Sequence, residues 1–441
     1  MRTRDGLALA TPGLIVAAVL FAAWPGYLSF DSAAQFWQAR SDRYLDIAPP
    51  LFPWLWHQSL RILDATHGML ALFGVLFAVA FSLLVHAADG TWRKWLLATA
   101  GPACPLLVLM LPHLWTDVLL AACLLLAFAV IESMPGRGPA GSTVATRALF
   151  APPILLLLFA AVSVRHNGVL AVLPLIVLWM WRAAPALSWR ARALAAGLVL
   201  VVLVGASTAF RFRVIERPLD TWAVGMLFDL QAVSVATRTQ RIPRDLVGPG
   251  MDLAQLQQAF HPYSGTRLFA ETRSGVANPT VEPLTAAQAA ELRRAWCALW
   301  SEPSYWAHRW RLFAALLGPH GTEALRPLAD APQLVQYRDN PPLTRSHPLA
   351  HDVYRDLIDL AFRTPVFSAG SIWLLGGLGF VLRRRSRKLR EMAAAAALLA
   401  SALLYALPLL LIAPSAELRY VLWPGLAGWL VMLGVGARRA R

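Results

Sequence analysis

Apolar stretches long enough to cross a membrane dominate the pattern of hydrophobic and polar residues along this chain. A helix crosses the hydrocarbon core of a bilayer with about 20 mostly apolar residues. About ten segments meet that description, near residues 8–28, 68–88, 95–112, 117–134, 149–164, 168–183, 193–211, 366–383, 391–413 and 420–437. The pattern predicts an all-α polytopic membrane protein with about ten transmembrane helices.

Polar, turn-rich sequence interrupts this pattern between the seventh and eighth segments. Glycine and proline break residues 212–365 into short elements, with helices predicted over 285–300 and 305–317. The chain therefore divides into an N-terminal transmembrane block of about seven helices (1–211), a small and mostly helical insert (212–365) and a C-terminal block of about three helices (366–441). A loop as long as this insert is more often functional than not.

The positions of Arg and Lys predict the orientation. They gather at alternate ends of the predicted spans, including a run of six between residues 383 and 390. Because short cytoplasmic loops are enriched in positive charge, both termini are expected in the cytoplasm of a bacterial inner membrane. The first loop, 28–67, and the insert then face the periplasm. The first segment is expected to be a retained helix, since no small-residue cleavage site follows it.

Composition narrows the class of protein further. Hydrophobic residues make up 57% of the 441 residues and charged residues 15%, which is too apolar for a soluble fold of this length. The formal net charge of +15 is accounted for largely by the cytoplasmic anchors, which suit an anionic leaflet. A nucleic-acid partner is therefore not expected. Cys104, Cys123 and Cys297 offer no disulfide framework.

Two regions outside the spans have the character of interfacial helices. In the first loop, residues 32–40 are amphipathic, Pro49 and Pro50 break the chain, and residues 51–63 are rich in tryptophan. Both helices are predicted to lie on the membrane, over Asp31 and Asp46. In the insert, residues 305–313 mix aromatic residues and cations at helical spacing. That pattern fits an interfacial helix or a helix packed within a small domain.

Polar groups recur at the predicted outer ends of four hairpins. They are Asp31-Ser32, His113-Leu-Trp-Thr116-Asp117, Arg165-His166-Asn167-Gly168 and Glu417-Leu418-Arg419-Tyr420. Ionisable residues at membrane depth are costly and usually face a polar cavity. Four such groups at one level predict a shared site.

Each group also has a purely structural interpretation. Asp31 can cap a helix that starts at Ser32, and Thr116 or Asp117 can cap the fourth span. Arg165 and Arg419 can instead reach lipid phosphates. It is the coincidence of all four groups at one level that favours a site.

Such a cluster suits transfer from a phosphate-linked lipid donor. A carboxylate can act as general base on an acceptor hydroxyl. Arginine binds phosphate through two parallel hydrogen bonds and stabilises the charge that develops on a leaving phosphate. Two acids and two arginines at one face supply both functions.

On these motifs the chain resembles the GT-C superfamily of integral-membrane glycosyltransferases. It is most similar to the bacterial branch related to protein mannosyltransferases and the lipid A aminoarabinose transferase. The resemblance rests on the first-loop Asp31, on Asp117 at the start of the fourth span, on the basic-Asn-Gly motif at residues 165–168 and on the Arg419-Tyr420 pair. It covers roughly residues 1–210 and 366–441, and the insert matches only in position and size.

The resemblance implies a polyprenyl-phosphate sugar donor, a periplasmic acceptor (glycan, lipid or protein) and inversion at the anomeric carbon. Asp31 and Asp117 match the family's catalytic acids, and Arg165 and Arg419 fall where such enzymes hold the donor phosphate. The expected substrate-binding set adds Ser32, Asp46, His166, Asn167 and Tyr420.

The sequence departs from this family in the first loop and leaves a metal requirement open. Many relatives have His-Pro-Pro where this chain has Ala48-Pro49-Pro50, so one acceptor or metal contact is missing. Some members bind a divalent ion at the acids, yet no ligand spacing here supports one.

Two other functions stay open at this stage. A lipid-linked saccharide transporter or flippase needs a cationic path through the bundle and often has repeated halves, whereas these charges cluster at one face. An O-antigen polymerase or ligase has a similar number of spans, and its site depends more on Arg and His in the large loop.

Overall fold

The computed structural model describes residues 2–63, 67–135, 147–248, 251–265, 267–271, 275–318, 337–341, 347–362, 368–385 and 392–435. This part of the chain is helical and has only isolated β-bridges. The α-helices are α1 Arg2–Ala22, α2 Phe30–Ser41, α3 Leu51–Leu63, α4 Gly68–Ala87, α5 Thr91–Ala100, α6 Pro105–Met110, α7 Thr116–Ser133, α8 Ala151–Val164, α9 Gly168–Ala183, α10 Trp189–Val214, α11 Ala223–Thr237, α12 Leu253–Gln258, α13 Arg267–Glu271, α14 Ala286–Ala298, α15 Pro303–Leu317, α16 Pro348–Phe362, α17 Ala369–Arg384, α18 Ala393–Ala406, α19 Leu409–Ile412 and α20 Leu422–Met432.

Five helical segments in the described residues are long and apolar enough to cross a membrane. They are Arg4–Ala22, Gly68–Ala87, Thr116–Ser133, Trp189–Val214 and Ala393–Ile412. This confirms the prediction of an α-helical membrane protein, while the count of about ten spans stays a prediction. The predicted span at 95–112 is two helices, α5 and α6, because Pro102 lacks a backbone donor and Pro105 starts a new helix.

The membrane helices differ in how much of their surface the protein covers. α7 packs against α4, α8 and α9 and is buried along nearly its whole length. By contrast, α10 exposes Leu194, Leu198 and Val201. A helix that is apolar all round and covered by neighbours is a core helix, whereas the bare apolar side of α10 is the surface that lipid would cover.

Helices α17 and α20 approach each other closely through glycine. A Cβ atom on Gly376 would lie 2.4 Å from the carbonyl oxygen of Gly428. Small residues allow helix backbones to meet in this way, and close packing replaces the hydrophobic driving force that is missing between helices in lipid. This contact fixes the C-terminal block.

Arginines cap the C-terminal end of α20. Arg93 Nη2 donates to the carbonyl oxygen of Gly434 at 2.7 Å, and Arg383 donates to the carbonyls of Val431 and Met432. The last carbonyls of a helix have no intrahelical partner, so guanidinium donors satisfy them. These arginines lie at the end of the bundle that the charge pattern predicts to be cytoplasmic.

The insert has a hydrophobic cluster of its own. Helices α11, α12, α14 and α15 supply most of its buried residues, and α13 and the connecting segments supply the rest. Asp229, fully buried, accepts hydrogen bonds from Arg309 Nη2 at 2.6 Å and from Trp296 Nε1 at 2.7 Å. Arg309 Nη1 also donates to the carbonyl of Ala413 at 2.7 Å, so the insert is tied to the chain just after α19.

The first-loop helices differ from the expectation that both lie on the membrane. Residues 32–39 of α2 are buried, and Phe36 stacks on Trp56 of α3 with ring centroids 4.9 Å apart. α2 therefore packs inside the protein, because α3 and the segment 337–341 cover it. α3 has a strongly apolar exposed end, with Ile62 and Leu63 uncovered.

Candidate functional site

Asp31 forms an ion pair with Arg419. Its Oδ2 lies 2.6 Å from Arg419 Nη2, and 45% of the Asp31 side chain is exposed against 8% for Arg419. The alternative that Asp31 caps a helix starting at Ser32 is wrong. The cap residue is Ser29, which forms a capping box with Ser32, and this leaves the Asp31 carboxylate available for Arg419. The Ser32 side chain, expected to bind substrate, is engaged in that cap.

Asp117 forms the second ion pair, with Arg165. Asp117 Oδ1 lies 2.8 Å from Arg165 Nη2, and the side chains are 1% and 22% exposed. The cap position of α7 is Trp115, without a side-chain cap, so neither Thr116 nor Asp117 serves as the N-cap. Tyr405 donates a hydrogen bond to Asp117 Oδ1 at 3.2 Å. The N-terminal end of α7 adds its positive dipole to this environment.

Tyr420 links the two ion pairs. The guanidinium carbons of Arg165 and Arg419 lie 4.8 Å and 5.1 Å from the centre of its ring. Arg419 Nη2 also donates to the Tyr420 hydroxyl at 3.3 Å. The 3-10 turn Leu418–Val421 places Arg419 and Tyr420 side by side. The structure thus brings together Asp31, Asp117, Arg165 and Arg419 from four distant segments.

The charges in this cluster are nearly balanced. Glu417 Oε2 lies 2.6 Å from Arg419 Nε, so three carboxylates face two guanidinium groups. Burial works against the charge of Arg165, but Asp117 and the neighbouring tyrosines raise the pKa of Arg165 above its usual value. Both arginines stay charged at neutral pH, and the exposed edge of the cluster is the Asp31 carboxylate.

A second polar group lies beside the cluster. Asp46 is paired through both carboxylate oxygens with Arg211 near the end of α10. The exposed His166 is within electrostatic reach of this pair and of Arg165. Its pKa is lowered by partial desolvation and by the positive charges of Arg211 and Arg165. Asp46 therefore does not join Asp31, although both belong to the first loop.

Two contributors to the site were not singled out from the sequence. Tyr405 contacts Asp117, Arg165 and Asn167, and its only signal was a polar side chain inside an apolar segment. Trp115 donates from Nε1 to Ser29 Oγ at 2.8 Å, and its ring faces the Arg419 guanidinium at 5.1 Å.

A short segment of the insert, residues 337–341, also reaches α2. Asn340 Nδ2 donates to the carbonyl of Ala33 at 2.8 Å, and the Arg338 guanidinium lies 3.8 Å from the centre of the Trp37 ring. Tyr337 meets Phe30, the neighbour of Asp31, with ring centroids 5.5 Å apart. No motif in the sequence predicted this contact.

The acids of the cluster do not fit a metal centre. Within the described ranges, no group of three or more His, Cys, Asp or Glu side chains is arranged to hold a metal ion. Asp31 and Asp117 are each paired with an arginine, and two adjacent guanidinium charges would repel a cation.

No family model, no curated protein and no solved structure matches this chain.

Proposed function

We propose that this protein is an integral-membrane glycosyltransferase of the GT-C type. It would move a sugar from a polyprenyl-phosphate-linked donor to a periplasmic acceptor in the envelope, which is a glycan, a lipid or a protein. The observation that carries the proposal is the meeting of Asp31, Asp117, Arg165 and Arg419 around Tyr420. Two acids and two arginines at one face suit transfer from a lipid phosphate, because the acids can accept a proton and the arginines can bind the phosphate.

Asp31 is the general base in this proposal. The acceptor hydroxyl oxygen attacks the anomeric carbon while its proton passes to the Asp31 carboxylate. The bond from the anomeric carbon to the phosphate oxygen breaks, and the lipid phosphate leaves with the electron pair. Attack opposite the leaving group inverts the anomeric carbon. Among the four charged groups, Asp31 has the largest exposed fraction, 45%, as a base that meets substrate requires.

Arg165 and Arg419 bind the donor phosphate. A guanidinium has five N–H donors, and the pair with Asp117 engages Nη2 of Arg165, so its capacity for phosphate oxygens is not exhausted. Because both arginines already face carboxylates, their charge is held in place before the donor arrives. Such preorganised charge stabilises the negative charge that develops on the leaving phosphate.

Asp117 is a positioning residue in this scheme. It is 1% exposed and contacts Arg165 and Tyr405, so it acts on substrate through Arg165. Asp46 has a similar role toward Arg211, since both of its oxygens are paired. Asn167 is buried and contacts Tyr405, whereas His166, next to Arg165 in the chain, is exposed, so we assign His166 to the acceptor.

The alternative functions have less support. Asp31, Asp117 and their arginines form two compact pairs at one end of the membrane helices, and a transporter would need such charges along a path. An O-antigen polymerase or ligase would use Arg and His of the insert, and two of these residues, Arg309 and His308, are instead buried against Asp229.

The test compares cells that carry the intact protein with cells that carry Asp31→Asn. Mass spectrometry of envelope glycans, lipids and proteins should reveal a sugar increment that depends on the protein, and this increment should be lost in Asp31→Asn. Asp42→Asn is the matched control, because Asp42 is exposed at the other end of α2 and its left-handed backbone suits asparagine. A folded Asp31→Asn protein that still makes the increment would overturn the proposal.

A further inference from the structure

Helix α15 of the insert has an apolar face that the described protein does not cover. Trp306 is 42% exposed and Trp310 is 63% exposed. The exposed positions of the helix are Pro303, Trp306, Ala307, Trp310, Arg311 and Ala314. Only one of these six, Arg311, is charged, and the two large apolar side chains are both tryptophan. Water is a poor partner for such a surface.

The orientation of this face is fixed from the opposite side of the helix. Tyr305, His308, Arg309 and Leu312 are buried. Arg309 is held by Asp229 at 2.6 Å and by the carbonyl of Ala413 at 2.7 Å. The helix therefore cannot rotate to hide its tryptophans without breaking a buried ion pair, which is costly.

The same contacts fix the level of α15 relative to the membrane helices. Ala413 directly follows the apolar span Ala393–Ile412. At its C-terminal end, α15 meets the start of α17, where Ser368 Oγ donates to the carbonyl of Leu317 at 3.0 Å. A Cβ on Gly370 would lie only 2.1 Å from that carbonyl oxygen. Helix α15 is thus attached to the ends of two helices of the membrane block.

The two helices to which α15 is attached also have exposed apolar side chains, which lipid would cover. α17 exposes Leu374, Leu375 and Leu378, and the neighbouring span exposes Leu403 and Ile412. Tryptophan is enriched where hydrocarbon meets headgroups, because its ring is apolar and its N–H is polar. At the end of a spanning helix, that boundary is the surface the tryptophans reach.

We propose that α15 lies in the headgroup region of the phospholipid bilayer and anchors the insert to the membrane surface. Trp306 and Trp310 enter the boundary between headgroups and acyl chains, while Arg311, at the edge of the face, extends its guanidinium to lipid phosphate. The partner is the bilayer, and the anchor does not depend on the proposed sugar transfer.

Two exposed alanines of the insert allow a matched test. Ala314 lies on the proposed membrane face, and Ala287 lies at the start of α14, far along that helix from α15. Each is changed to cysteine in a full-length Cys297→Ser background, since Cys104 and Cys123 are buried and Cys297 is exposed. The cysteine is labelled with a polarity-sensitive fluorophore, and the protein is reconstituted into phosphatidylcholine–phosphatidylglycerol vesicles containing lipids with a spin label near the headgroup.

The label on Ala314→Cys should emit at shorter wavelength than the label on Ala287→Cys and should be quenched more strongly by the spin-labelled lipid. Changing Trp306 and Trp310 to serine together should reduce that quenching. Equal quenching at the two positions, or none at either, would overturn the proposal. Proximity between labels on two copies of Ala314→Cys without lipid quenching would also overturn it and would assign the face to a second copy of the chain.

Discussion

Replacing Asp31 and Asp117 separately by asparagine should have opposite consequences for stability and turnover. Asp117 and Arg165 form a largely buried pair, and breaking such a pair costs about 3–5 kcal/mol because it leaves a buried charge uncompensated. Arg165 retains its contact with the Tyr420 ring, so we expect the lower end, about 3 kcal/mol. Asp31 is 45% exposed although Arg419 is buried, so water covers only one side of this pair and its loss should cost about 1 kcal/mol, the upper end of the range for exposed pairs. Arg419 also retains Glu417.

Turnover should change in the reverse order, with the larger direct loss of rate in the more stable variant. Removing a general base lowers the rate about 10²- to 10⁴-fold, so Asp31→Asn should be nearly as stable as the parent protein yet almost inactive. Asp117→Asn should lose stability first, and the activity that the folded fraction keeps should show weakened donor binding.

The buried cysteines provide the stability assay. Cys104 and Cys123 are buried, so a thiol-reactive dye reports unfolding of the membrane block in a Cys297→Ser background. About 3 kcal/mol should lower the melting temperature of Asp117→Asn by roughly 6 °C, since 1 kcal/mol shifts the midpoint of a large domain by about 2 °C. An Asp31→Asn protein that melts as early as Asp117→Asn, or that retains full transfer, would refute the division of roles.

Three further outcomes are expected. Burial lowers the pKa of His308 in spite of the adjacent Asp229, so the unfolded chain binds the proton more readily, and the melting temperature should fall as pH drops below about 6.5, the usual pKa of histidine; His308→Gln should flatten that dependence. Arg383→Met leaves carbonyls at the end of α20 unsatisfied and should cost about 1–3 kcal/mol, read as a lower melting temperature. Trp37→Ala removes the ring beneath Arg338, so limited proteolysis near residues 337–341 should accelerate while the melting temperature of the bundle changes less.

Part of the candidate site could be predicted from the sequence, because its residues lie at helix ends. Asp31, Asp117, Arg165 and Arg419 interrupt apolar segments, and charge at such positions is noticeable in any membrane chain. The sequence could not predict which acid pairs with which arginine, because the partners come from different hairpins. Asp46 illustrates this limit, because its partner Arg211 is the last residue of a segment predicted as a span.

The sequence pattern also left open which residues cap α2 and α7, and the structure decides this. Asp31, Thr116 and Asp117 all had the composition of N-caps, but backbone geometry gives these positions to Ser29 and Trp115. A shift of one or two residues at a helix start changes whether a carboxylate satisfies its own backbone or remains available to another segment. Sequence patterns do not locate helix starts to that accuracy.

By itself, the sequence determined that this is an α-helical membrane protein with charged groups at the ends of its helices, because bilayer thickness and the cost of unpaired backbone leave few alternatives. Only the tertiary structure decided that Tyr420 joins two ion pairs into one cluster, that Asp117 is buried while Asp31 is half-exposed, and that α2 packs inside the protein. These properties depend on contacts between residues hundreds of positions apart, and local periodicity carries no information about such contacts.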